Sequence, residues 1–364
     1  MDTNLKKLTV KYNNHIVGYL LELDDKRVAF QYDNEWLLSG FSINPFFLPL
    51  INEVFISKSP YFSGLFGVFN DSLPDMWGEL LVRRMLAKEM INFDKLSVLT
   101  RLTLIGDDGL GALQYEPIQN TTNRHKNYDL DSLAGEVKNV INNIEKEVDF
   151  DDLYLLGGSS GGTRPKVHLK IGTEEWIVKF KAQLDPKNIG ELEFKANQLA
   201  KQVGINVNFH KLYPSKLCSG YFGAKRFDRK DGKRVHMISL SSLLETSYKI
   251  PNLDYKHLFQ VIQKICIDQE DLYEAFRRMT FNVLYPNRDD HGKNFAFLYN
   301  EEKKGYQLSP AFDLTKTPMI FEHQMTVLNN GNPTKDDLIK LAVEMNLSIK
   351  KCKDIINKVE NTLE

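Results

Sequence analysis

Strand-like runs dominate this chain up to about residue 250, and helical runs dominate after about residue 253. That segregation constrains the fold most, because a β-rich part followed by a helix-rich part gives an α+β architecture of two lobes. At roughly 150 residues per domain, 364 residues predict two domains or one large bilobal one. Residues 8–12 and 15–22 are strand-like around Asn13-Asn14, and 27–32 continues the pattern, which predicts a small antiparallel meander. Pro74, followed by Trp77, Leu80, Leu81 and Met85 at helical spacing, predicts a helix over 74–90. The polar stretch 120–128 reads as a linker and 130–147 as a helix.

Two further hairpins are expected in the middle of the chain. The first joins 168–171 to 176–180 around Gly172, and the second surrounds Asp231-Gly232. Residues 191–203 have a helical pattern that stops at Gly204, and a helix over 270–285 precedes two short strand-like runs, 294–299 and 306–312.

Charge and cysteine usage limit what such a chain does. Forty-seven basic residues against forty-eight acidic leave a net charge of −1, so contact with DNA would need a local patch or a partner. The basic run Lys225 to Arg234 is interleaved with Asp228 and Asp231 and reads as an exposed hairpin rather than a nucleic-acid patch. Cys218, Cys266 and Cys352 are odd in number and far apart, which argues against structural disulfides and zinc sites. The polar start lacks a signal-peptide core, and the longest uncharged run, Trp36 to Asn52, is broken by Pro45 and Pro49. A reducing, cytoplasmic setting without membrane contact is the expectation.

The most informative stretch is Asn287-Arg288-Asp289-Asp290-His291-Gly292-Lys293-Asn294, between a helix and a strand. In protein kinases the catalytic loop reads Arg-Asp, four residues, then Asn; the Asp accepts or orients the substrate hydroxyl and the Asn holds magnesium. Arg288-Asp289-x4-Asn294 has that spacing, whereas Asp290 leaves only three intervening residues, which favours Asp289 as the base. Asp313 follows nineteen residues after Asn294, beyond the two strand-like runs, where a kinase places its metal-binding Asp. Asn294 and Asp313 would supply the carbonyl and carboxylate oxygens that a hard magnesium ion prefers. Upstream, the run Gly157-Gly158-Ser159-Ser160-Gly161-Gly162 lets backbone amides approach phosphates, although it matches neither a Walker loop nor the spaced kinase glycine pattern. Trp176-Ile177-Val178-Lys179 is an apolar strand ending in Lys, and Glu193 lies early on the next helix. A kinase places its ATP lysine and that lysine's acidic partner in this order.

Together these segments resemble the HipA family, the serine/threonine kinase toxins of bacterial toxin–antitoxin modules. The resemblance is carried by 69–81, 105–117, 157–167, 176–180, 224–229, 287–298 and 308–315. It implies a bilobal fold related to protein and phosphatidylinositol kinases, with ATP and Mg2+ as cofactors. The expected layout is an N-terminal HipA-like subdomain over 1–120, a kinase N-lobe over 121–250 and a helical C-lobe over 251–364. It further implies Asp289 as the catalytic aspartate, Asn294 and Asp313 as metal ligands, and Lys179 as the ATP lysine. Glu193, Lys166, Gly161, Gly162 and His291 complete the expected nucleotide site. Autophosphorylation of the loop serine, Ser159 by offset from Lys166 or its neighbour Ser160, would silence the enzyme. The implied partners are a separate small helix-turn-helix antitoxin, through which DNA is met, and a protein substrate such as an aminoacyl-tRNA synthetase.

Two other readings stay open: a kinase of this fold with a different substrate, and a non-catalytic corepressor that holds an antitoxin on DNA. The presence of Lys179, Asp289, Asn294 and Asp313 argues against the corepressor, which would be free to lose them.

Overall fold

The computed structural model describes residues 2–106, 109–118, 128–142, 150–158 and 162–364. The chain forms two compact units: Met1–Glu191 with His210–Ile238 and Ser242–Thr246, and Leu192–Phe209 with Ser239–Ser241 and Ser247–Glu364.

The first unit carries two larger antiparallel sheets among its described residues. Strands β1 (Lys7–Tyr12), β2 (His15–Glu22), β3 (Val28–Tyr32), β4 (Val54–Ile56) and β5 (Leu113–Glu116) are ordered β4-β3-β2-β1-β5. The expected meander is present. Asn13 and Asn14 sit at φ 44° and 73° between the paired Tyr12 and His15, the backbone sign that a two-residue hairpin turn needs and that Asn tolerates. Leu8, Leu20 and Phe30 lie side by side in the β1–β2–β3 register and are all fully buried. Gly18 is required there, because a Cβ would lie 2.2 Å from the Gln31 carbonyl oxygen and 2.8 Å from the Phe30 ring.

The second sheet contains β6 (Lys166–Ile171), β7 (Glu174–Lys179), β8 (His210–Tyr213) and β9 (Tyr221–Lys225), ordered β6-β7-β9-β8. Residues 172 and 173 close the β6–β7 hairpin, with Gly172 at φ 64°. Val167, Leu169 and Val178 on one face join a core with Trp77 and Leu81 of α1 (Met76–Lys88), Val137 of α2 (Leu130–Ile141) and Leu153 of α3 (Phe150–Gly157). Strand alternation sends Lys166, His168, Ile177 and Lys179 to the opposite face. Residues 120–127 of the linker predicted over 120–128, and the end of the helix predicted over 130–147, lie outside the described residues.

The basic run differs from the exposed hairpin expected of it. The Asp231-Gly232 turn is there, pairing Arg229 with Arg234 and Lys230 with Lys233, but Arg226 and Arg229 turn inward on the buried Asp228. Arg226 donates twice to the Asp228 carboxylate, at 2.9 and 2.7 Å, and once to the Gly109 carbonyl at 2.8 Å. Arg229 donates to Asp228 at 3.0 Å and to the Gly111 carbonyl at 2.8 Å, while the Gly111 N–H donates to Asp228 at 2.7 Å. Burial works to raise the Asp228 carboxyl, yet the two guanidiniums hold it well below the usual carboxylate range. The charges spaced along the run pair with each other instead of with water, a contact that linear spacing does not display.

The second unit is mainly helical. Helix α4 (Ile189–Val203), whose first residues belong to the first unit, ends at Gly204 with φ 92°. Helix α5 (Tyr255–Ile265) begins with a capping box between Asp254 and His257. Helix α6 (Glu270–Leu284) packs against α5 and α8 (Ile349–Leu363), and Phe259, Ile262, Phe276, Met279 and Val359 are buried there. Between α6 and α7 (Lys335–Glu344) runs the hairpin β10 (Ala296–Asn300) and β11 (Gly305–Leu308). Among the described residues no helix is long and apolar enough to cross a membrane.

Candidate active site

In the first unit the site residues gather at the start of β6 and the end of β7. The ladder places Lys166 directly opposite Lys179, so both side chains project from the same face. Directly paired residues of an antiparallel ladder have Cβ atoms about 4.5–5.5 Å apart, and two like charges there repel. Lys166 is only 7% exposed. The Lys179 ammonium lies 5.7 Å from the centre of the Phe222 ring, on the same face. The β6–β7 register thus brings two lysines to one side of the sheet.

The glycine-rich segment reaches this face at Gly162. Ser159, Ser160 and Gly161 lie outside the described residues, while Gly162 sits at φ 85° with its N–H donated to Asp75 at 3.0 Å. A Cβ on Gly162 would fall 2.7 Å from the Lys166 ammonium nitrogen, so the glycine permits the lysine to lie against the loop. Trp77 donates its indole N–H to the Lys166 carbonyl at 3.0 Å. Asp75 and Trp77, at the start of α1, therefore fix the loop end and the first strand residue. Sequence reading used Trp77 only as a helix marker and missed Asp75, whose partner is 87 residues away.

The second unit brings Asp289, Asp290, His291, Asn294 and Asp313 to the junction of α6 with the β10–β11 hairpin. The two adjacent aspartates have opposite environments. Asp290 is 1% exposed and accepts hydrogen bonds from Tyr255 Oη (2.7 Å), the Gln324 N–H (2.9 Å) and His323 Nδ1 (2.7 Å), which makes Nδ1 the protonated ring nitrogen. Tyr255 in turn accepts from Asn282, and Asn282 accepts from Asn287. Burial, and next the Asp290 charge, push the Tyr255 hydroxyl well above its ordinary pKa. Asp289 points outward instead, its side chain 49% exposed and one carboxylate oxygen 3.7 Å from His291 Nε2. Asp290 is thus an anchor for the loop, and Asp289 is the half-exposed carboxylate of the two. His323 and Tyr255 belong to this anchor, and no spacing in the sequence marked them.

Asn294 donates its amide N–H to the Asp289 carbonyl at 2.8 Å. That bond fixes the amide orientation, turning the NH2 toward the loop and leaving Oδ1 as the acceptor end. The register pairs Phe297 with Leu308, and the Ser309 N–H continues the ladder to the Ala296 carbonyl, so Asn294 and Asp313 both lie at the open end of the hairpin. Asp313 occupies φ 54°, a left-handed conformation that L residues adopt at a cost and that clusters at functional sites. Among the described residues no three or more His, Cys, Asp or Glu side chains cluster as a metal site. The donors present are one amide and one carboxylate oxygen, a set that fits magnesium completed by water and phosphate oxygens.

His291 packs its ring 5.0 Å from Tyr248, and Lys293 lies over the same Tyr248 ring. Glu193 is buried on α4, in the second unit, with its carbonyl bonded by Asn197.

Comparison with known proteins adds the relationships. Residues 158–364, more than half of the chain, match the family model described as the HipA-like C-terminal domain, and residues 8–116 match the HipA N-terminal domain. The chain is 28% identical over 209 residues to the protein named Putative kinase Y4dM of Sinorhizobium fredii, covering 52% of this chain and 50% of that one. The chain thus spans about half the length of this curated relative. Among solved structures, HipA in the HipA, HipB and operator DNA complex of the Shewanella oneidensis MR-1 toxin–antitoxin system matches with a TM-score of 0.71 at 19% identity. That match covers 97% of this chain and 88% of the other, and it shows a shared fold. The Helicobacter pylori proinflammatory kinase CtkA matches at a TM-score of 0.39 and 15% identity, over 56% of this chain and 86% of its own.

Proposed function

The chain belongs to the HipA family, and from that premise we propose that it is an ATP-dependent serine/threonine protein kinase acting as the toxin of a toxin–antitoxin pair. The single observation that supports this most is the contrast between its adjacent aspartates: Asp290 is buried and bonded three ways, while Asp289 stays half-exposed beside Asn294. A structural turn has no use for a carboxylate held out by a rigid anchor, whereas phosphoryl transfer depends almost entirely on such positioning.

In this reading Asp289 orients the hydroxyl of the protein substrate and takes up its proton. Lys166 and Lys179 attract the phosphate oxygens of ATP from the face of the second sheet, and the backbone near Gly162 lies beside them. Asn294 and Asp313 would hold magnesium, which when bound neutralises charge on the transferring phosphoryl group. Ser159 or Ser160 is the site of autophosphorylation. A phosphate there adds about −1.5 to −2 charge, which repels the phosphates of ATP. The Shewanella oneidensis HipA structure contains HipB and operator DNA. The proposed partner here is a small helix-turn-helix antitoxin that supplies the DNA contact, which suits a chain of net charge −1. The proposed substrate is a component of translation such as an aminoacyl-tRNA synthetase.

Incubation of the purified chain with γ-labelled ATP and magnesium tests the central claim. Label should appear on the protein or an added substrate, and the Asp289→Ala variant should incorporate none. Equal labelling of the two would remove Asp289 from the chemistry.

A further inference from the structure

A cavity of about 390 Å³ lies in the first unit, between α2, the segment that leaves β7 and the segment that enters β9. Ile141, Phe180 and Tyr221 give it apolar walls. Four of its described lining residues are lysines, Lys138, Lys179, Lys181 and Lys187, and none is Asp or Glu. The Lys181 ammonium is held in place by the Ala182 and Gln183 carbonyls at 3.1 and 3.2 Å, so its charge is fixed rather than free to swing away. Lys138 and Lys187 are exposed at its edge. Asp131, on the same helix as Lys138, carries one negative charge outside the described lining. It accepts from Ser215 Oγ at 2.6 Å, the Lys216 N–H at 2.9 Å and Tyr221 Oη at 2.8 Å, and these bonds hold its carboxyl below the ordinary range.

We propose that this cavity binds a small amphipathic anion, with one phosphate or carboxylate on an apolar or aromatic body. Its size falls in the range of small-molecule sites. Inorganic phosphate would satisfy the lysines but leave the apolar walls wet, and a neutral hydrocarbon would do the reverse. A ligand with both parts gains from burial and from charge pairing together. Only Lys179 is common to the cavity and the lysine face described above.

Cys218 lines the cavity and is partly exposed, whereas Cys266 and Cys352 are buried. Native-state alkylation of the full chain by neutral iodoacetamide, read at Cys218 by mass spectrometry, therefore reports occupancy. Phenyl phosphate should protect Cys218 saturably, while inorganic phosphate and benzyl alcohol at the same concentrations should not. The Lys138→Gln/Lys187→Gln double variant should raise the concentration needed for protection by at least about tenfold. Protection should persist in Lys166→Gln, which alters the lysine face but not the cavity. The proposal fails if phenyl phosphate gives no protection and no heat in a calorimetric titration, if the double variant is protected like the wild type, or if inorganic phosphate protects equally. It also fails if magnesium-ATP protects as phenyl phosphate does, because the cavity would then be part of the nucleotide site.

Discussion

Lys166 and Lys179 face each other across the β6–β7 ladder, two cations in register on one side of a sheet whose other side is hydrophobic core. In the proposed function these two charges meet the phosphate oxygens of ATP. Replacing either lysine by Met should leave the chain folded. The thermal shift caused by magnesium-ATP should disappear. A variant that melts lower yet keeps its full ATP shift would make the pair structural.

Asp289 and Asp290 should separate activity from stability. Asp289→Asn keeps the size of a half-exposed side chain and should abolish phosphoryl transfer with an unchanged unfolding midpoint. Asp290→Ala strips the acceptor from three buried donors and should cost about 3 kcal/mol, with activity lost as a consequence. Urea unfolding of both variants checks this. A fully stable Asp290→Ala would mean that the loop is anchored elsewhere.

The buried Arg226–Asp228–Arg229 group sets a different expectation. Arg226→Met removes four hydrogen bonds, two of them to Asp228, and leaves that carboxylate buried with fewer partners, at a cost of about 3–5 kcal/mol. Denaturant titration measures this directly, and a loss below about 1 kcal/mol would show that Arg229 and the Gly111 N–H alone satisfy Asp228.

Glu245 gives the protein a pH dependence near neutrality. Burial, with the Asp71 charge adding to it, pushes its carboxyl up to about 7, although the Gly67 N–H donates to it at 2.8 Å. The folded-state pKa lies above the unfolded value, so its contribution is intact below about pH 4 and is lost as pH rises through 7. Glu245→Gln should therefore gain on the order of 2 kcal/mol over the wild type at pH 8 and nothing at pH 4. Parallel melting curves at the two pH values would reveal the difference, and identical behaviour at both would place Glu245 in water.

Phosphate should appear on Ser159 or Ser160 after incubation with magnesium-ATP and should be absent in Asp289→Ala. The phosphorylated form should bind nucleotide more weakly, because the added charge of about −1.5 to −2 repels ATP phosphates. Mass spectrometry with a binding titration decides it. Nucleotide affinity unaffected by phosphate at either serine would leave the segment without a regulatory role.

Most local structure was legible from the sequence because its causes are local. Asn13-Asn14 and Asp231-Gly232 dictate tight turns through the backbone angles they tolerate, and Gly204 ends α4 for the same reason. Alternation separated the two faces of this hairpin, but the sequence reading took residues 172–175 as the connection between 168–171 and 176–180, whereas the structure turns on residues 172 and 173 and pairs Ile171 with Glu174. The preference for Asp289 over Asp290 also came from spacing alone. Spacing could not say what holds the loop: Tyr255 and His323 reach Asp290 from 35 and 33 residues away. Nor could it show that Asp75 would bind Gly162, or that Arg226 and Arg229 would turn away from water onto Asp228. Chain packing decides these contacts, because a buried carboxylate or guanidinium is tolerated only where its partners converge from distant segments. The sequence by itself determined the turns, the alternation and the order of the candidate groups. Tertiary structure decided which charges are anchored in the interior and which stay exposed.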